Sequence, residues 1–125
     1  MIEVSINGRE EVVRTPERLG ELLAASDQDS TVEAWLSVPG GSRICLLRSG
    51  TNAFLMYLRH AEDSGFVSGR PAVASDTQVG YRLSNGQVDQ YPELWCVSLR
   101  QCREALSHFF SHEGARPDMV AWHES

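Results

Sequence analysis

Residues 31–59 read TVEAWLSVPGGSRICLLRSGTNAFLMYLR, and the punctuation of this stretch decides the fold. Between 31 and 38, Val32, Ala34, Leu36 and Val38 occupy alternate positions, the period of a strand with one buried face. Pro39-Gly40-Gly41 turns the chain, and residues 43–48 return as a second strand. Ser49-Gly50 makes the next turn. Residues 53–59 then form a strongly apolar third strand in which Phe54, Met56 and Leu58 share a face. Strands joined by such tight turns pair antiparallel, so this stretch is the centre of an antiparallel sheet.

Towards the N-terminus, Ile2, Val4 and Ile6 alternate with polar residues. Asn7-Gly8 supplies a pair that tolerates positive φ, and residues 11–14 return as the second arm of a hairpin. Thr15-Pro16-Glu17 starts a helix: a side-chain acceptor at the cap, a proline where no donor is needed, and a carboxylate at the positive end of the dipole. Leu19, Leu22 and Leu23 mark its apolar face.

Towards the C-terminus, residues 60–76 are irregular, with acidic Glu62-Asp63, glycines, Phe66 and Pro71, and read as loops around a short strand at Phe66-Val67. Val79, Tyr81 and Leu83 alternate into Asn85-Gly86, and the chain returns through Val88 as a second hairpin before Pro92 bends it. Trp35 and Trp95 are assigned to strands, as packing residues. Ser98 with Gln101 three residues on is a capping box, and Leu99, Cys102, Leu106, Phe109 and Phe110 recur at helical spacing behind it. Gly114 ends this helix, Pro117 prevents its resumption, and residues 119–122 read as a terminal edge strand. The whole is a single α+β domain over residues 1–125: an antiparallel sheet of six or seven strands packed, on one face, against two helices.

The composition narrows the function. With 125 residues and 42% hydrophobic content the chain can bury one ordinary core. It has no apolar run of about 18 residues, and MIEVSINGREE lacks the apolar block of a signal peptide, so a cytoplasmic protein without membrane contact is expected. Cys45, Cys96 and Cys102 have no CxxC spacing and sit in apolar contexts, as buried reduced thiols do. The formal charge of −6, with eleven scattered arginines and no lysine, argues against direct nucleic-acid binding and favours a basic partner.

Catalytic patterns are lacking. His108 and His112 stand four apart, but on the polar side with Glu104, and no glutamate follows the first histidine as in a metalloprotease helix. His60 and His123 have no nucleophile at fixed spacing. Ser49-Gly50-Thr51-Asn52 and Val67-Ser68-Gly69-Arg70 lack the glycine and lysine pattern of phosphate loops. No catalytic residue, metal ligand or cofactor is assigned, leaving a binding protein as the leading class. An acidic regulatory interaction domain and a small enzyme with an unrecognised site are the alternatives.

From about Ala53 onward the blocks AFLMYLRH, DSGFVSG, YRLSNGQVDQYP, CVSLRQCREALSHFF and RPDMVAW followed by His123 and Glu124 resemble, in order and spacing, the bacterial immunity protein family one. That family accompanies deaminase-type polymorphic toxins. The first fifty residues resemble it in layout. The resemblance implies an inhibitor that binds a cognate toxin one to one, the toxin being a zinc-dependent nucleobase deaminase whose mouth receives a flipped or single-stranded base. Such a mouth is basic, which suits an acidic inhibitor. The partner-contacting residues are then expected among loop carboxylates and aromatics: Glu62, Asp63 and Phe66, then Asp76, then Asp89, Tyr91 and Glu93.

Overall fold

The computed structural model describes residues 1–125. Nine strands and two helices follow one another: β1 (Ile2–Ile6), β2 (Arg9–Val13), α1 (Pro16–Ser26), β3 (Thr31–Ser37), β4 (Arg43–Ser49), β5 (Asn52–Leu58), β6 (Phe66–Ser68), β7 (Gln78–Arg82), β8 (Val88–Pro92), a 3-10 turn (Glu93–Trp95), α2 (Leu99–Ser111) and β9 (Trp122–Glu124). Seven strands form one sheet in the order β2-β1-β3-β4-β5-β6-β9, with every neighbouring pair antiparallel. The α+β class holds.

Local chemistry accounts for the elements. Asn7 and Gly8 both have positive φ, at 50° and 85°, the requirement of a tight primed turn. Asn7 also anchors that turn to the sheet: its side-chain oxygen accepts from the Glu33 N–H at 2.8 Å and its amide donates to the Thr31 carbonyl at 3.2 Å. At the second hairpin only Gly86 of the Asn-Gly pair has positive φ. There the Gly86 N–H closes on the Leu83 carbonyl at 2.9 Å and Asn85 accepts from the Gln87 N–H, a longer turn than at Asn7-Gly8. Thr15 caps α1, and Ser98 with Gln101 forms the reciprocal box on α2.

On the helix side, Leu19 and Leu23 of α1 and Cys102, Ala105, Leu106 and Phe109 of α2 close over Ile2, Val4, Val32, Ala34, Leu36, Ile44, Leu46, Leu55 and Tyr57. Each large side chain so buried stabilises by about 1.5–3 kcal/mol. The Ser42 and Tyr57 hydroxyls both donate to the Gly114 carbonyl, at 2.7 and 2.8 Å, which ties the end of α2 to the sheet.

The opposite face is where structure and expectation part. Helices cover only one face, as anticipated, but the second face is not left wholly to solvent: β7 and β8 form a separate two-stranded sheet laid across part of it. Beneath this hairpin lies a second core of Cys45, Leu47, Phe54, Val67 and Tyr81, flanked by Trp35, Met56, Val79, Leu83, Tyr91 and Trp95. Trp95 accordingly lies in the 3-10 turn and not on a strand, stacking against Tyr91 with ring centroids 5.6 Å apart. Cys96 is half-buried beside the Tyr81 hydroxyl at 3.3 Å, whereas Cys45 and Cys102 are fully buried. The terminal edge strand is β9, starting three residues later than anticipated because Pro117 and the turn after it carry Val120 into the core. No helix is long and apolar enough to cross a membrane.

Candidate functional site

The residues anticipated to meet a partner fall into two groups. The first is the loop from β5 to β6. Glu62 stands exposed there and makes no ion pair or hydrogen bond. Asp63 turns inward instead, its side chain only 4% exposed. It takes both the Arg59 guanidinium, at 2.8 Å to each oxygen, and the Arg59 backbone N–H at 2.9 Å. That guanidinium holds the Asp63 carboxyl well below the usual carboxylate range. Phe66 is half-buried against the helix-side core, with the Arg116 and Arg59 guanidinium carbons 4.6 and 5.3 Å from its ring centre. Of this trio, only Glu62 is free to meet a partner without rearrangement.

The second group lies along the β7–β8 hairpin. Asp76 accepts from the Val73 N–H at 2.8 Å and shapes the approach to β7, while Glu93 is exposed and its N–H donates to the Thr77 carbonyl, bringing the two carboxylate residues to one end of the hairpin. Tyr91, opposite Val79, lies near that same end, and its hydroxyl donates at 3.2 Å to Asp89, which sits opposite Tyr81 towards the hairpin tip. Burial first, and the Asp89 charge second, raise the Tyr91 hydroxyl above its ordinary pKa, keeping it a donor.

Sequence reasoning missed Glu33, which joins the tip of the hairpin to the sheet. It accepts from the Ser84 N–H and hydroxyl, each at 2.9 Å, and from the Trp35 indole N–H at 3.1 Å. Burial alone would raise the Glu33 pKa, but these three donors outweigh it and leave the carboxyl lowered. The signal was present in sequence as a charged residue facing inward on a strand whose other face is core, but its partner lies 51 positions away.

The open part of the second sheet face was missed as well. The register sets Glu3 opposite Val12 and Ser5 opposite Glu10 on β1 and β2, and Glu3 opposite Ser37 and Ser5 opposite Trp35 on β1 and β3. These residues line a depression of about 450 Å³ that reaches Arg43. Arg43 also borders a second hollow with His60 and Glu62, so the open face and the exposed Glu62 are continuous.

Elsewhere, His108 and His112 stack face to face, with centroids 3.9 Å apart and planes 11° from parallel, a geometry that does not converge two ring nitrogens on one ion. Asp27 draws together Arg103 and the buried Arg48 behind α2.

The arrangement offers an acidic, hydrogen-bonded surface and no nucleophile paired with a base. The family model for Immunity protein Imm1 matches residues 7–124. The chain belongs to that family. Membership therefore makes it an immunity protein, and the match takes in the first hairpin's turn, both helices and every strand from β2 onward. No curated protein matches the chain.

Proposed function

We propose that this immunity protein binds a cognate bacterial toxin of the nucleobase-deaminase type in a one-to-one complex and blocks it by occluding the basic cleft that receives nucleic acid. It acts in the cytoplasm of the producing cell, by binding and not by turnover. The observation that carries the reading is the family match over residues 7–124, and the charge of −6 supports the proposed mode. A deaminase must take its target base out of a stack or from a single strand, so its mouth is lined to attract phosphates. In this reading the exposed carboxylates Glu62 and Glu93 meet such a mouth first, with Asp76 and Asp89, half-buried and hydrogen-bonded within the chain, behind them, while Asp63, Phe66 and Tyr91 hold the segments that carry these charges. Attraction of this kind chiefly accelerates capture.

The test is to co-purify the chain with the toxin domain encoded beside it. The expected results are a one-to-one complex, loss of base deamination on mixing, and an association rate that falls as salt rises from about 0.01 M to about 1 M, over which the screening length shrinks from about 30 Å to about 3 Å. A toxin that stays fully active in excess immunity protein would overturn the reading.

A further inference from the structure

The hairpin covers only part of the second sheet face. It packs over β4, β5 and part of β3, and the outward face of β1 and β2 lies beyond it. The cross-strand rows run from open to covered. One is Val12, Glu3, Ser37, Arg43 and Leu58, and the next is Glu10, Ser5, Trp35, Cys45, Met56 and Val67. At the open ends stand exposed Glu3 and Glu10 and a Val12 that is 44% exposed.

Three features of this patch point to an occupant. Glu3 and Glu10 are diagonal cross-strand neighbours, a spacing of about 7–8 Å, and neither has an ion-pair partner within the chain. Arg43 lines the same depression but forms no ion pair with either glutamate, so no cation of the chain neutralises the pair. Trp35 is half-buried and its indole N–H is already engaged by Glu33, so its remaining surface is apolar. Ser5 and Ser37 are small and floor the trough between that indole and Val12.

We infer that this uncovered half of the second face docks a basic surface of the cognate toxin. A lysine or arginine sits between Glu3 and Glu10, and an apolar side chain enters the trough beside Trp35. The inference rests on the immunity reading and extends it, making the open face, continuous with Glu62 through Arg43, the centre of the interface. A second copy of this chain is disfavoured, because a twofold contact through the same patch would set its glutamates against each other. Nucleic acid is disfavoured by the same charges.

Three variants test it against the purified toxin domain. E3R/E10R reverses the charges, Ser5→Tyr fills the trough without changing charge and suits a strand, and E21R/E104R makes the same charge change on the outer surfaces of α1 and α2. The expected results are a Kd weakened about 100-fold or more by E3R/E10R, about 10-fold or more by Ser5→Tyr, and no more than about threefold by E21R/E104R. Thermal melts of the free variants should match the wild type, and hydrogen exchange in the wild-type complex should slow across Arg9–Val13. Wild-type affinity in both E3R/E10R and Ser5→Tyr, or equal losses in E3R/E10R and E21R/E104R, would overturn the inference while leaving the immunity role intact. A free dimer that E3R/E10R dissociates would assign the face to a second copy and overturn it too. Failure of the wild-type chain to bind the toxin would remove the immunity reading itself.

Discussion

The Glu33 carboxylate accepts from both the backbone N–H and the hydroxyl of Ser84, each at 2.9 Å, so a single side chain on β3 fastens the tip of the β7–β8 hairpin across the sheet. Replacing Glu33 with Ala removes these bonds and the one to Trp35. We expect a loss of about 1–3 kcal/mol, read as a lower denaturant midpoint, with faster hydrogen exchange confined to the hairpin. Because the folded-state pKa of Glu33 is lowered, its contribution is present above the unfolded carboxylate value near about 4.3 and is lost as pH falls through the lower folded value. The stability gap between wild type and Glu33→Gln should therefore narrow on acidification.

Gly69 is irreplaceable for a steric reason. Its φ is +80°, and a Cβ there would lie 2.4 Å from the Leu94 carbonyl oxygen and 2.7 Å from the Trp95 carbonyl. Gly69→Ala should cost more than about 2 kcal/mol through backbone strain and displacement of the 3-10 turn. Thermal unfolding measures this, and a melting temperature equal to wild type would contradict it.

The three thiols should separate by reactivity. Burial pushes the Cys102 thiol up to about 12 and raises that of Cys45, leaving both as inert thiols inside the core. Cys96 is only half-buried. In native protein at neutral pH an alkylating reagent should modify Cys96 first, with Cys45 and Cys102 reacting only on unfolding, as peptide mass mapping would show.

The loop carboxylates should also divide. Reversing charge at Glu62 and Glu93 together should leave the melting temperature unchanged while slowing association with the toxin about tenfold at low salt. Reversing Asp63 should destabilise the β5–β6 loop even without toxin, because its carboxylate holds both the side chain and the backbone of Arg59. Equal melting temperatures for these two variants would contradict the division.

What could be read from sequence follows from how local its causes are. The β3–β4–β5 meander, the Asn7-Gly8 turn and the Ser98 capping box depend on residues a few positions apart, and all three stand as anticipated. The alternation of Val79, Tyr81 and Leu83 announced a buried face but not what it would be buried against, so the departure of β7 and β8 from the main sheet was invisible. The same limit applied to Glu33, whose partner Ser84 lies 51 positions away, whereas the Arg59–Asp63 pair is only four residues apart and was open to a local reading. Glu62 was recognisable as an exposed loop carboxylate. Glu3, Glu10 and Val12 come together only through the β1–β2 register, although the outward positions of IEVSI already placed Glu3 and Ser5 away from the core.

The separate β7–β8 sheet gives this architecture unequal tolerance to change. Inserting one residue within β4 or β5 would exchange the inward and outward sides of a strand with buried residues on both, wrecking two cores at once. The same insertion at the Asn85-Gly86 tip lengthens a loop, at a small entropic cost, and leaves the seven-stranded ladder in register. The outer surface of this flap can thus change in sequence and length while the seven-stranded sheet beneath it stays as it is.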